Sequence, residues 1–336
     1  MLSRYINKLM ARRDLEELEA FECFSRIMQG DCAEVQIAAL LTALRLKGET
    51  VAEITGAARA MRQKAAFIDT GMADVLDIVG TGGDSLGTFN ISTTSCFVAA
   101  GAGVTVAKHG NRAISSRSGA ADVLAELGFN LDVEPSVMEC CIQEHGIGFL
   151  FAQKIHPAMR YAAPVRKALK MRTIFNLLGP LTNPAGARNH LIGVFAPEYT
   201  EVFAAVLKSL GSRHALIVHG ADGLDEISPE SPTRVCELKD GMIRTYELFP
   251  EMVLDDVCSL SDVIGGTPAE NAAIMLDILR GRERGGKRAV VLLNAGAAIY
   301  AANAAKTIQE GVRKAADSID SGAALKKLEL LVEASK

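Results

Sequence analysis

The stretch Gly80-Thr81-Gly82-Gly83-Asp84 has the residue types of a phosphate-binding loop. It follows the apolar run 75–79, whose β-branched residues predict a buried strand. Ser92 and Thr93 then precede the apolar run 96–100, which predicts a helix with a hydroxyl residue at its start. Backbone N–H groups of a glycine loop and a helix N-terminus can bind an anion. The spacing matches neither a Walker loop nor a dinucleotide fingerprint, and a tight turn without a ligand is the alternative.

A second polar loop is predicted where a strand over residues 103–107 ends. It holds two cations, a histidine, an amide and small residues: Lys108, His109, Gly110, Asn111, Arg112, Ser115 and Ser116. Parallel strands end at one edge of a sheet, and open α/β sheets bind ligands there. Lysine supplies a point charge and arginine a fork of donors, so the loop suits a polyanion. The alternative is a solvated basic loop that caps the next helix.

Two adjacent carboxylates, Asp225 and Glu226, follow another predicted strand at 214–219. Mg²⁺ prefers a few carboxylates together with water and substrate oxygens, so this pair is a candidate metal site, with an acidic turn as the alternative. The sequence has no nucleophile elbow and no triad pattern. A phosphate loop, a metal and a basic clamp would therefore act by positioning and by stabilising the charge of a departing pyrophosphate.

The elements that must position these loops change in character near residue 73. Residues 1–72 show helical spacing throughout, whereas later strands alternate with helices, which predicts an α/β fold with a mostly parallel sheet flanked by helices. The predicted strands are 75–79, 103–107, 147–151, 190–195, 214–219 and 289–294, with a hairpin over 235–246 and two closing helices after Ala295. We expect a helical domain over 1–72 with a proline-rich return segment at about 166–189, and an α/β domain over 73–165 and 190–336.

Composition limits the partners and the compartment. The chain of 336 residues has a net charge of −4 and seven cysteines without a zinc spacing or a C-x-x-C pair. The acidic balance does not favour a nucleic-acid partner. The odd number of cysteines and the absence of a leader pattern or long apolar run predict reduced thiols, a cytoplasmic protein and no membrane association.

In combination, these motifs resemble those of the anthranilate phosphoribosyltransferase family. The resemblance runs in order over nearly the whole chain and includes the stretch 156–184. It implies a nucleoside phosphorylase-like, class III phosphoribosyltransferase fold and a homodimer paired through the helical part. It also implies Mg²⁺-dependent transfer of phosphoribose from phosphoribosyl pyrophosphate (PRPP) to the amine of anthranilate, a step of tryptophan synthesis.

The resemblance also implies roles for individual residues. For PRPP it implies Gly80, Gly83, Asp84, Thr88, Asn90, Ile91, Ser92, Thr93, Lys108, His109, Gly110, Asn111, Arg112, Ser115 and Ser116. For anthranilate it implies Gly80, His109, Asn111, Arg166 and Gly179, with Arg166 taking the carboxylate. For magnesium it implies Ser92, Asp225 and Glu226, and for catalysis Lys108, Asp84 and Arg166.

One departure and two alternatives accompany this interpretation. The family often has serine where this chain has Ala120, so a phosphate contact is missing and PRPP should bind more weakly. A pyrimidine nucleoside phosphorylase-like enzyme is the nearest alternative, although such chains are typically longer and lack the Lys-His-Gly-Asn-Arg pattern. A non-catalytic nucleic-acid-binding relative of the same fold is the other, and the acidic pair and acidic pI disfavour it.

Overall fold

The computed structural model describes residues 2–113, 117–254 and 257–336. Its first four helices form a unit with a continuous apolar core, in which Tyr5, Phe24 and Leu41 are fully buried. These helices are α1 (Ser3–Met10), α2 (Glu17–Gln29), α3 (Glu34–Lys47) and α4 (Val51–Lys64). A capping box between Thr50 and Glu53 begins α4, which explains why the helix starts there.

Seven strands then form one sheet in the order β3-β2-β1-β4-β5-β6-β7. They are β1 (Leu76–Gly80), β2 (Val106–Gly110), β3 (Ile147–Phe151), β4 (Asn189–Gly193), β5 (His214–Gly220), β6 (Thr233–Lys239) and β7 (Met242–Leu248). Strands β1 to β5 run parallel, and β6 and β7 form the predicted antiparallel hairpin at one edge. The predicted fold class, a small helical domain and a mostly parallel sheet, is confirmed.

Helices cover both faces of the sheet. The helices after α4 are α5 (Ile91–Gly101), α6 (Ala120–Glu126), α7 (Pro135–His145), α8 (Ala152–Ile155), α9 (Ala163–Leu169), α10 (Phe175–Leu178), α11 (Tyr199–Ser209), α12 (Pro268–Leu279), α13 (Gly286–Ala301), α14 (Ile308–Asp320) and α15 (Ala323–Ala334). Alternate residues of β4 serve the two faces: Leu191 belongs to the core with α5 and α13, and Ile192 to the core with α11 and the helical unit. None of the described helices is both long and apolar enough to cross a bilayer.

The segment between β3 and β4 packs on the helical unit. Helix α9 contacts α3, and α10 contacts α4. Val165 and Phe175 are buried in the same core as Phe24, whose ring meets that of Phe175 edge-on at 5.6 Å. The chain thus leaves the sheet after β3, contributes two short helices to the helical unit and returns to the centre of the sheet at β4.

Two predicted strands are wrong in place or in kind. Residues 289–294 lie inside helix α13, because a buried helix also presents an uninterrupted apolar run and periodicity alone does not distinguish the two. The strand predicted at 103–107 is β2 at Val106–Gly110, three residues later. Lys108 and His109 therefore belong to the strand itself rather than to the loop after it.

Candidate active site

The glycine-rich stretch connects β1 to α5 and turns sharply. Gly82 and Gly83 have φ values of +65° and +87°, in the left-handed region that glycine adopts without strain. The N–H of Thr81 donates to the carbonyl of Gly193 on the neighbouring strand β4, at 2.9 Å. The loop is thereby held at the carboxyl edge of the sheet with its backbone turned for close approach to a ligand.

Asn90 joins three segments at the start of α5. Its side-chain N–H donates to the Ser118 carbonyl at 3.2 Å, while its Oδ1 accepts from the Ser118 hydroxyl and from Asn271. Ile91 and Thr93 are buried in the first turn of α5. Thr88 lies just before, in an isolated bridge with Ile264.

Lys108 enters the site from beneath the glycine loop. It is 4% exposed, and its Nζ donates to the carbonyl of Ile78 on β1 at 2.7 Å. Lys108 was expected in the loop after the strand, and its place within β2 corrects that prediction. The change affects the electrostatics of the site. A positive charge fixed at the centre of the sheet acts in a low-dielectric environment and is stronger than one in a solvated loop. Asp77 lies close by, and burial raises the pKa of its carboxyl to about 6 although Lys108 opposes that shift.

His109 is neutral at physiological pH. Burial first, and then the neighbouring His156 at a ring distance of 5.0 Å, lower the pKa of His109 to about 3. Its Nδ1 lies 3.1 Å from the carbonyl of Gly179, so Nδ1 carries the proton and Nε2 the lone pair. The His109 backbone N–H donates to Asp77 at 3.1 Å. Two predicted anthranilate residues, His109 and Gly179, are thus in direct contact.

The rest of the basic loop is more open. Asn111 and Arg112 are exposed. Nη1 of Arg112 donates a hydrogen bond to Asp122 at 3.0 Å, so this guanidinium is paired within the chain. Gly110 ends β2, and Ala120 begins α6 beside it. Ser115 and Ser116, both predicted to bind PRPP, lie outside the described residues.

The acidic pair lies against the glycine loop. Glu226 accepts a hydrogen bond from the Ser92 backbone N–H at 3.1 Å, and burial followed by the nearby Asp225 raises the pKa of Glu226 to about 8. Burial and then the Asp84 carboxylate raise the pKa of Asp225 well above its usual range. The structure therefore brings the carboxyl groups of Asp84, Asp225 and Glu226 close together. Repulsion between their negative charges contributes, after burial, to the raised pKa values of Asp225 and Glu226.

These residues fit a magnesium ion. In the described part of the chain no three His, Cys, Asp or Glu side chains form a complete metal cage. Mg²⁺ does not need one, since it keeps several waters and takes phosphate oxygens. Oδ2 of Asp84 is buried and receives no hydrogen bond from a described residue. A buried carboxylate oxygen without a donor beside two carboxyls of raised pKa is the environment that a divalent cation relieves.

Two predicted anthranilate residues, Arg166 and Gly179, lie in the return segment. Arg166 on α9 stands over the ring of Phe175 at 5.4 Å, and burial lowers its pKa. No described carboxylate pairs with it in an ion pair. At Gly179 a Cβ atom would meet nothing within 4 Å, so open space adjoins the backbone there.

Sequence reasoning missed Gly193, Asp77 and Arg172. Gly193 pairs with Gly80 across β1 and β4, and the Asp225 backbone lies against it. A glycine inside the predicted strand 190–195 was the available signal for that role. Asp77 gave a weaker signal, a carboxylate inside an apolar strand. Nothing in the sequence marks Arg172, which touches the glycine loop from far along the chain.

The chain matches two family models. Residues 3–65 match "Glycosyl transferase family, helical bundle domain", and residues 72–325 match "Glycosyl transferase family, a/b domain". The fold and the site thus define a glycosyl transferase of two parts. A relative from Desulfosudis oleivorans, named anthranilate phosphoribosyltransferase, is 53% identical over 100% of this chain and 99% of its own length. The chain belongs to the anthranilate phosphoribosyltransferase family, as the motifs predicted.

Solved structures agree with this assignment. The anthranilate phosphoribosyltransferase of Thermus thermophilus superposes with a TM-score of 0.94 at 46% identity, covering 98% of both chains. That of Saccharomyces cerevisiae in complex with PRPP and Mg superposes with a TM-score of 0.91 at 30% identity, covering 99% of this chain and 97% of the yeast chain. Family membership favours the first of the predicted functions over the two alternatives.

Proposed function

We propose that this protein transfers the 5-phosphoribosyl group of PRPP to the amine of anthranilate, giving N-(5′-phosphoribosyl)anthranilate and pyrophosphate. One observation carries the proposal. The glycine loop, the buried cation of Lys108 and the acidic pair meet at one sheet edge, in a chain related over its full length to enzymes of that name. The reaction needs no covalent nucleophile, and the motifs offer none.

In this proposal the PRPP phosphates lie against the glycine loop, the first turn of α5 and the basic loop. The glycine loop turns through left-handed residues at 82 and 83, and Lys108 supplies a fixed charge behind it. Asn90 keeps the start of α5 in place through its bonds to Ser118 and Asn271. The bond between the ribose carbon and pyrophosphate breaks as the bond to nitrogen forms, so stabilising the leaving group's charge is the main demand on the site.

Magnesium would be held by Asp225, Glu226 and the hydroxyl of Ser92, with Asp84 beside them. When bound, it supplies positive charge to the phosphate oxygens. The chain's own contribution is to hold these oxygen ligands near the glycine loop. Asn294 does this by exchanging two hydrogen bonds with the Ile227 backbone, at 3.0 and 3.1 Å.

Anthranilate would enter between the return segment and β2. Arg166 offers a half-buried guanidinium without a carboxylate partner among the described residues, which suits the carboxylate of the substrate. The open space at Gly179 adjoins His109, where the ring of the substrate would lie. Because Nδ1 of His109 donates to Gly179, its Nε2 lone pair remains to accept a hydrogen bond from the aromatic amine and to orient it.

Loss of anthranilate fluorescence tests the proposal. We expect loss only when the purified protein, PRPP and Mg²⁺ are all present, and none after EDTA is added. Asp225→Asn should lower turnover by roughly 10²-fold, since a metal ion contributes several kcal/mol to leaving-group stabilisation, while anthranilate binding changes little. Asp132→Asn, an exposed carboxylate paired with Lys154, is the matched control. Unchanged turnover in Asp225→Asn would contradict the metal role.

The domain division, the compartment and the homodimer stay predictions. The division at residues 72 and 73, with a return segment at about 166–189, is supported by the packing of α9 and α10 on the helical unit. A dimer through the helical part is supported by an apolar groove between α1 and α3, where Met10, Val35 and Leu46 are 72%, 74% and 81% exposed. A mass of twice 35.7 kDa in light scattering would support the dimer. The cytoplasmic location rests on the sequence features named above, of which cysteine usage is one.

A further inference from the structure

The glycine loop is held by a residue that belongs to none of the predicted motifs. Arg172 follows α9 in the return segment, and its Nη2 donates to the carbonyl of Gly83, 89 positions earlier in the chain. The guanidinium also stands 4.1 Å from the centroid of the Phe195 ring. An exposed arginine that stacks on an aromatic ring loses less freedom when it makes a hydrogen bond, because the ring already restricts it.

The loop is shaped to receive this side chain. A Cβ atom at position 83 would lie 2.7 Å from Nη2 of Arg172, and the φ of Gly83 is +87°. Glycine at this position therefore serves two purposes. It allows the left-handed turn, and it leaves the space that the guanidinium occupies.

Phe195 holds the same loop from its other side. Its backbone N–H donates to the hydroxyl of Thr81 at 3.0 Å, while its ring supports Arg172. The ring is anchored in turn, since it lies 5.0 Å from that of Tyr199, which meets the fully buried Phe203 at 6.5 Å. The loop is thus tied at residues 81 and 83 to a row of aromatic side chains rooted in α11.

We propose that Arg172, supported by Phe195, is a positioning residue that keeps the glycine loop in the conformation that receives the pyrophosphate of the substrate. The inference rests on the proposed function for the identity of that substrate. Arg172 donates to the carbonyl of Gly83, and this hydrogen bond fixes the left-handed turn at that residue. It acts through the loop and is not itself a ligand in this arrangement.

Steady-state kinetics and PRPP calorimetry test this with four variants. Arg172→Gln, Arg172→Lys and Phe195→Leu should each raise KM and Kd for PRPP about five- to tenfold, the loss expected for a charge-assisted hydrogen bond or its aromatic support. The turnover number and KM for anthranilate should stay within about twofold. Lys167→Gln, which removes a cation from the exposed surface of α9 in the same segment, should change neither constant. Thermal unfolding checks that every variant is folded.

Three comparisons decide the outcome. The Kd for PRPP of the double variant Arg172→Gln with Phe195→Leu should lie within about twofold of the Kd of either single variant, because both substitutions remove the same support. Independent, multiplying losses would overturn the inference, as would PRPP constants like those of the wild type in Arg172→Gln. Rescue by lysine would also overturn it, since that result makes Arg172 a charge acting directly on phosphate. If the wild type consumes no anthranilate, the proposed function fails, whereas calorimetry with PRPP still tests the support of the loop.

Discussion

Adding one methyl group at Gly193 should disable the site although no charged side chain is substituted. Gly193 ends β4 opposite Gly80, and its Cβ would lie 1.6 Å from the carbonyl oxygen of Asp225 and 2.5 Å from the carbonyl carbon. A carbon and an oxygen in contact need about 3 Å or more, so the Asp225 backbone must move by more than an ångström in a Gly193→Ala variant. No rotamer change relieves the clash, because both partners are backbone atoms.

The expected loss follows from this displacement. Overpacking costs about 1–3 kcal/mol of unfolding free energy, which a chain of this size tolerates. Misplacing a catalytic group by about 1 Å costs roughly 10²-fold in rate. We therefore expect Gly193→Ala to stay folded and to lose at least about 10²-fold in kcat/KM for PRPP, with the KM for anthranilate much less affected.

Anthranilate fluorescence measures the rate, and thermal unfolding followed by circular dichroism measures stability. Gly179→Ala is the matched control for stability, since its added methyl meets nothing within 4 Å and its φ of −49° suits alanine. That variant should unfold like the wild type and raise only the KM for anthranilate. If Gly193→Ala instead turns over PRPP at the wild-type rate, the position of the Asp225 backbone does not matter for activity, and our account of the acidic pair fails.

Two further predictions concern binding and stability. Ala120→Ser should lower KM for PRPP by about three- to tenfold in the same kinetic assay, because a hydroxyl at the start of α6 can donate to a phosphate; an unchanged KM would mean that water already fills that role. Burial alone would raise the pKa of Glu237, but hydrogen bonds from His214, Arg244 and Tyr300 outweigh it and lower the pKa to about 2. Because the pKa is lower in the folded protein than in the unfolded chain, the ionised carboxylate stabilises the fold by about 3 kcal/mol above pH 4.5, and this stabilisation is lost as the pH falls toward 2. Thermal unfolding between pH 5 and 2 should therefore depend less on pH in Glu237→Gln. Equal pH dependence in that variant and the wild type would contradict the role of this network.

Local patterns predicted the edge of the sheet at which the site lies. The glycine stretch, the acidic pair and the basic loop each follow an apolar run, and the rule that parallel strands end together was enough to place them side by side. The contact between Ser92 and Glu226 is an outcome of that rule. The patterns did not predict that Lys108 and His109 are buried. A lysine and a histidine beside glycine and asparagine look like a loop, whereas the sheet extends through both and takes Lys108 into its interior.

The strand predicted at 289–294 failed for a related reason. An apolar run within a longer alanine-rich stretch is compatible with a buried strand or a buried helix, and only the packing of α13 against α5 and α14 decides between them. The polar residue Asn294 inside that run is informative in retrospect. In the helix it reaches across to the Ile227 backbone beside the acidic pair, a role that a strand register would not have suggested.

Residues that act on the site from far along the chain leave little local signal. Arg172 is one cation among several in its segment, and Gly193 is one of 30 glycines. Their importance arises where separate parts of the chain meet: Arg172 at the carbonyl of Gly83, and Gly193 at the backbone of Asp225. The motifs of the candidate site could be found in the sequence, because binding a ligand requires particular residue types close together in the chain. The supports that hold those motifs in place are imposed by the fold, so only the three-dimensional structure identifies them.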